Sequence, residues 1–172
     1  MGDDNVERDP AVQELLDKQA IRELTARYSR AADRADAELM ASVFHPDAVY
    51  DPGGGHAMTG ETIGAQIVEM LLTMMASSIH QVGGQLIEVR GDTAVGETYT
   101  SGQHVLADGQ RLRTQTRYLD RFERRDGEWR IANRQVVSEA FEVLPAYDGP
   151  TTGVESASRR DRTDPSYALF AG

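Results

Sequence analysis

The chain can do little chemistry except move protons. It has no cysteine and a single lysine, Lys18. Thiolate chemistry is therefore excluded, and a Schiff base would rest on one residue set among Glu14, Asp17 and Arg22 on a helix surface. Imidazoles, carboxylates and phenols remain. The four histidines, His45, His56, His80 and His104, show no metal-ligand spacing, so no metal is expected. "DPGGGH" lacks the Lys-Ser/Thr ending and the following helix of a phosphate loop, and no nucleotide fingerprint is present, so no cofactor is expected. His80 stands out. In "SSIHQVGG" it opens a β-type run directly after a methionine-rich helix, where an apolar core would begin. An imidazole held there by a carboxylate is a general base of fixed tautomer: one ring N–H is engaged, and the other nitrogen can take a proton.

The elements that must position it follow from pattern. Residues 1–10 are polar and acidic and read as a mobile tail. From Pro10 to about residue 32, Val12, Leu15, Leu16, Ile21, Leu24, Tyr28 and Ala31 recur at helical spacing. Asp36 caps a second short helix bearing Leu39, Met40, Val43 and Phe44. A strand around residues 49–51 and a glycine-rich loop come next. Thr59 is the expected cap of a third helix that buries Ile63, Ile67, Met70, Leu71 and Met74. From residue 78 to 142, Gly91-Asp92, Asp108-Gly109 and Asp126-Gly127 punctuate four long strands of an antiparallel meander. Gly83-Gly84 within a strand predicts a bulge or bend.

A two-residue turn at Asp126-Gly127 pairs Phe122 with Ile131, Asp120 with Asn133, Tyr118 with Gln135 and Thr116 with Val137. That register turns Asp120, Asn133 and Gln135 to the inner face, where three polar groups need something polar to meet, as in a ligand-binding concavity. Arg113, Arg117, Arg121, Glu123, Arg130 and Arg134 then fall on the outer face. Arginines gathered on a chain of net charge -10 predict a homo-oligomer in which a partner's carboxylates meet them. The acidic balance argues against nucleic-acid and anionic-membrane partners. No leader or bilayer-length apolar run is present, so a cytoplasmic location is expected.

Helices first and a long sheet after make an α+β domain in which the sheet curls around the helices. "AIRELTARYSRAADRADAELMASVFHPDAVYD", "IHQVGGQLIEVRGDTAVGETYTSGQHV" and "RYLDRFERRDGEWRIANR" resemble the SnoaL-like branch of the nuclear transport factor 2-like superfamily, over about residues 11–142 and in the same order. The resemblance implies a cone: a curved antiparallel sheet wrapped around N-terminal helices in the order α-α-β-α-β-β-β-β, with a pocket inside. Residues 143–172 are then an extension. Asp164-Pro165 predicts a short capped helix before Tyr167, Leu169 and Phe170, which pack on the pocket mouth or a neighbouring subunit.

The superfamily includes dehydratases, a dehydrochlorinase, ketosteroid isomerase, polyketide cyclases and non-catalytic members, so the fold leaves function open. By resemblance to the dehydratases and the dehydrochlorinase, Asp33 and His80 form the catalytic pair, with Tyr28 five positions before the Asp. The expected reaction is a cofactor-independent elimination on a hydrophobic cyclic substrate such as a steroid, polyketide or aromatic precursor, by a homo-oligomer for which the resemblance puts a trimer slightly ahead of a dimer. His104 matches a second pocket histidine, although a two-residue turn at Asp108-Gly109 would face it outward. Ideal helical spacing separates Tyr28 from Asp33 by ~140°, at ~100° per residue, so a shared site requires the helix to end or distort near Ala32. An alternative set follows the isomerase pattern: Asp51 as base, with Tyr28 and a protonated Asp120 as oxyanion donors. Tyr50, Tyr118, Thr116 and Asn133 are further candidates for the pocket wall. The third reading is a non-catalytic binder or the small subunit of a larger enzyme.

Overall fold

The computed structural model describes residues 9–147 and 158–170; the expected N-terminal tail, up to residue 8, and residues 148–157 of the extension lie outside the described residues. Helix α1 spans Pro10–Arg34. Its cap is Asp9, which accepts the Ala11 N–H at 2.8 Å, and Pro10 takes the first turn, where its missing N–H costs nothing. The helix runs two residues past the expected end and stops where Ala35 adopts a left-handed φ of 51°. Ile21, Leu24, Tyr28, Ala31 and Ala32 form its buried stripe. Burying an aliphatic side chain the size of Ile21 contributes about 1.5–3 kcal/mol. The first turns depart from expectation: Val12, Leu15 and Leu16 are exposed, whereas Asp17 is buried and accepts from Arg124 and from the Trp129 indole at 2.9 Å.

Helix α2 (Ala37–Ser42) is capped as expected, Asp36 accepting the Leu39 N–H at 3.0 Å. Strand β1 (Phe44–Asp51) is longer than the pattern implied, and a two-residue strand β2 (Met58–Thr59) pairs with it. Thr59 therefore caps nothing. Gly60, at φ 83°, turns the chain, and helix α3 (Ile63–Met74) begins after Thr62 without a side-chain cap. It buries Ile63, Ile67 and Leu71 as expected, but Met74 is exposed. Helices α2 and α3 touch at Gly64, where an added Cβ would lie 2.6 Å from the Ala41 nitrogen.

The meander follows as strands β3 (Met75–Arg90), β4 (Thr93–Leu106), β5 (Arg111–Arg125) and β6 (Glu128–Leu144). The six strands lie in the order β2-β1-β6-β5-β4-β3, antiparallel except where β1 runs parallel to β6. The sheet curls around α1 and α3, and its concave face holds the core. Gly83-Gly84 forms the expected bulge: Val82 pairs with Thr100 and Gln85 with Thr98, leaving two residues opposite one.

A second bulge was not foreseen. The Asp126-Gly127 turn is a two-residue turn, and Phe122 pairs with Ile131, but Arg121 pairs with Asn133, so Ala132 is an extra residue. Beyond it the register is displaced by one: Asp120 faces Arg134, Tyr118 faces Val136 and Thr116 faces Ser138. A one-residue slip exchanges the two faces of a strand. Asn133 and Gln135 are consequently exposed outside, and Arg134, expected outside, is inside.

Candidate active site

Asp33 sits in the last turn of α1, on the face that meets the start of β3. Its Oδ1 lies 2.7 Å from Nδ1 of His80, and its Oδ2 accepts the backbone N–H of the same residue at 3.0 Å. One carboxylate thus holds both the ring and the backbone of one histidine, which fixes the ring's direction. A carboxylate can only accept, so Nδ1 carries the proton and Nε2 is the basic nitrogen. The pair is enclosed, with side-chain exposures of 13% for His80 and 9% for Asp33.

Ser78 and His104 extend the pair. Ser78 precedes His80 by two on the strand and so shares its face. Its hydroxyl donates to Asp33 Oδ1 at 3.1 Å and accepts from Nδ1 of His104, also at 3.1 Å. Nε2 of His104 then accepts from the Thr114 hydroxyl at 3.3 Å. The inward direction of His104 comes from its turn. Gly109, at φ 86°, closes a three-residue loop, so His104 pairs with Leu112 rather than Arg113. The imidazole occupies the space above Gly102, where a Cβ would come within 2.2 Å of Nε2. Burial, with His80 adding to it, pushes the His104 pKa down to about 4, so the ring stays neutral at physiological pH.

Tyr28 enters a different cluster. The helix does not break at Ala32, and the Tyr28 hydroxyl donates to that of Tyr50 at 3.2 Å. Its ring and that of Tyr118 flank the Arg134 guanidinium, at 4.3 and 4.2 Å from the ring centroids. Arg134 grips Asp120 through two hydrogen bonds of 2.7 Å, with both side chains fully buried. Burial opposes the guanidinium's charge, but Asp120 outweighs it and raises the pKa above the ordinary arginine value. Burial, reinforced by Tyr50, raises the Tyr28 phenol well above 10. Asp120, engaged by a permanent cation, is an ionised acceptor and does not supply the neutral acid that the isomerase pattern needs. Asp51 Oδ1 accepts the Gly53 N–H at 2.8 Å, an ordinary turn at a strand end. Thr116 meets Thr100, their hydroxyls 2.6 Å apart.

Ser78, Thr114 and the inward Arg134 were not among the expected site residues. Two of the three had a signal. Ser78 is readable from its spacing to His80, and a buried Asp120 calls for a cation. A groove of about 920 Å³ opens on the outer face along Gln81, Tyr99, Gln115 and Arg117, away from the dyad. Its charges are already paired, Arg117 holding Glu97 and Glu139 at 2.6 Å each.

Solved structures share this fold. A type 2 hexachlorocyclohexane dehydrochlorinase (LinA) is 22% identical, covering 84% of this chain and 99% of its own, with a TM-score of 0.77. A scytalone dehydratase candidate from Novosphingobium aromaticivorans is 18% identical over 83% and 99%, with a TM-score of 0.71. A point variant of a Mycobacterium tuberculosis protein of unknown function, Rv3472, is 23% identical over 95% and 92%, with a TM-score of 0.68. No curated protein matches the chain. Residues 13–135, from the second turn of α1 to the strand that carries Arg134, match the SnoaL-like domain, and with the cone built as that resemblance implies, the chain belongs to the SnoaL-like family.

Proposed function

We propose that the protein is a lyase that eliminates HX from a hydrophobic cyclic substrate without a cofactor. The observation that carries this reading is the 2.7 Å contact between Asp33 and Nδ1 of His80, doubled by the backbone N–H bond to the same carboxylate. Nε2 of His80 removes a proton from carbon, the C–H electron pair becomes the new double bond, and the C–X bond breaks with its pair on X. Asp33 keeps the tautomer and offsets the imidazolium charge. Tyr28, expected as a donor in this step, has its hydroxyl engaged with Tyr50 in the separate Arg134 cluster and is assigned no part in the elimination. The names of the dehydrochlorinase and of the dehydratase candidate with this fold support an elimination. The test is product formation from hexachlorocyclohexane and scytalone, comparing the wild type with Asp33→Asn and Asp51→Asn. Loss of turnover with Asp33→Asn alone is expected. A dead Asp51→Asn beside an active Asp33→Asn would move the reading to an isomerase, and retained binding without turnover would make the protein a binder.

We also propose a cytoplasmic homo-oligomer, a trimer ahead of a dimer. Among the described residues no helix is long and apolar enough to cross a membrane. The arginine argument for assembly weakens, because Arg117 is paired within the chain and Arg134 is inside. The outer face instead exposes Ile79, Leu86, Val95 and Tyr99, which a second copy would cover. Sedimentation as a monomer at micromolar concentration would refute the assembly.

A further inference from the structure

The C-terminal segment reaches the site from the far end of the sequence. Asp164 caps helix α4 (Pro165–Leu169) through the Ser166 N–H, and the segment is pinned to two residues of α1 and to the cap of α2. Arg34 bonds the Arg159 carbonyl and approaches Asp164 at 3.3 Å. Arg30 donates to Ser166 at 2.9 Å, and Asp36 accepts the Tyr167 hydroxyl at 2.6 Å. This docking lays Arg160 against the dyad. One of its terminal nitrogens donates to the Met75 carbonyl and the other to the Ala32 carbonyl at 3.4 Å, so it spans the residue before Asp33 and the first residue of the strand that carries His80. Its Nε is buried and has no hydrogen-bond partner among the described residues. Burial lowers its pKa, with the Asp33 carboxylate acting in the opposite direction.

We propose that Arg160 is the anion-binding group of the dyad site: its unpartnered Nε–H receives the electronegative atom that departs from the substrate, and docking of residues 158–170 keeps it there. This rests on the elimination reading and deepens it. The proton goes to His80, the electron pair of the broken C–X bond leaves on X, and the resulting charge is met by a cation already fixed beside the base. A desolvated N–H without a partner costs free energy until an acceptor arrives, and that acceptor is what the elimination generates.

The test needs no turnover. Diethyl pyrocarbonate acylates neutral imidazole, and peptide mass spectrometry reads His80 separately from His104. In the wild type, tens of millimolar bromide should slow His80 acylation several-fold. In Arg160→Ala, acylation should be faster and indifferent to bromide, and Arg160→Lys should recover part of the bromide effect. A wild type indifferent to bromide, or an Arg160→Ala variant protected as well as the wild type, overturns the proposal. If the wild type also releases chloride from hexachlorocyclohexane, Arg160→Ala should lower kcat more than tenfold with little change in KM, and millimolar guanidinium should restore part of it. Equal turnover would overturn the proposal as well. A wild type inactive on every substrate would count against the elimination alone, since bromide protection is read without it.

Discussion

Asp33 and Asp120 are buried to the same extent, 7% and 5% exposed, and each is held by a nitrogen base at 2.7 Å. They differ in the base. Asp120 is clasped through both oxygens by a guanidinium that is boxed between two tyrosine rings and never gives up its proton. Asp33 holds a histidine whose second nitrogen remains basic, in a network of hydroxyls and a neutral His104. The first arrangement is a buried charge pair between register partners of β5 and β6. The second leaves a proton acceptor next to a fixed countercharge, which is what proton transfer needs. Burial and ion pairing alone do not mark a place where a proton can move; a partner with a second, unengaged ring nitrogen does.

The contrast breaks most sharply in stability. Arg134→Met strands the Asp120 charge in the core and should cost about 3–5 kcal/mol by chemical denaturation, whereas Arg134→Met combined with Asp120→Leu should recover most of it. Asp33→Asn should act mainly on turnover. It keeps an acceptor for the His80 ring but sets an amide NH2 against the His80 backbone N–H, a loss of about 1–3 kcal/mol, while turnover falls about 100-fold, ~2.7 kcal/mol of transition-state stabilisation. If Asp33→Asn unfolds the protein as Arg134→Met does, the two carboxylates are alike and the distinction fails.

Gly102 sharpens the same comparison on the dyad side. An added Cβ would meet His104 Nε2 at 2.2 Å and Thr114 Oγ1 at 2.5 Å, so Gly102→Ala must push the ring off its contact with Ser78. The expected cost is about 1–3 kcal/mol, with a fall in turnover. In a His104→Ala background the clash with the ring disappears and only the Thr114 hydroxyl, the end of a rotatable side chain, has to give way, so Gly102→Ala should then cost less, a coupling that a double-mutant cycle measures.

Helix existence, the Asp36 cap, the Gly83-Gly84 bulge and the Asp126-Gly127 turn were readable because each rests on local chemistry within a few residues. The dyad was readable only through resemblance: Asp33 and His80 are 47 positions apart, and no local pattern joins them. The Asp120–Arg134 pair was misassigned for one reason. Ala132 adds a residue to β6 with no glycine to announce it, and a period of two turns that single residue into an exchange of faces. His104 shows the same sensitivity, since a three-residue loop in place of a two-residue turn brings it inside. The inner wall of a curled sheet is set by loop and bulge lengths that alternation alone does not fix.

The smallest effect concerns the docked segment that carries Arg160. Burial pushes the Asp36 pKa up, but the Tyr167 hydroxyl and the Leu39 N–H more than offset this, so it lies below its ordinary value of 3.8. Asp164 is lowered too, chiefly by the Arg159 N–H. A carboxylate whose folded pKa is depressed stabilises docking above its ordinary pKa and loses that contribution as pH falls through the folded value. Burial, and then the bond to Asp36, raises Tyr167 from 10.0 to about 12, so its contribution is complete below pH 10 and is lost as pH climbs toward 12. Docking should therefore hold from about pH 4 to 10 and weaken on both sides. The ring C–H resonances of Phe170, which stacks on Arg30 at 5.0 Å, report it without exchange with water. Tyr167→Phe removes a single hydrogen bond and should weaken docking by about 1 kcal/mol at neutral pH. It should also flatten the alkaline limb between pH 10 and 11 while keeping the acid limb, because Asp164 remains. An alkaline limb that persists in Tyr167→Phe would show that the segment is held by other groups, and that the placement of Arg160 does not depend on the Asp36 contact.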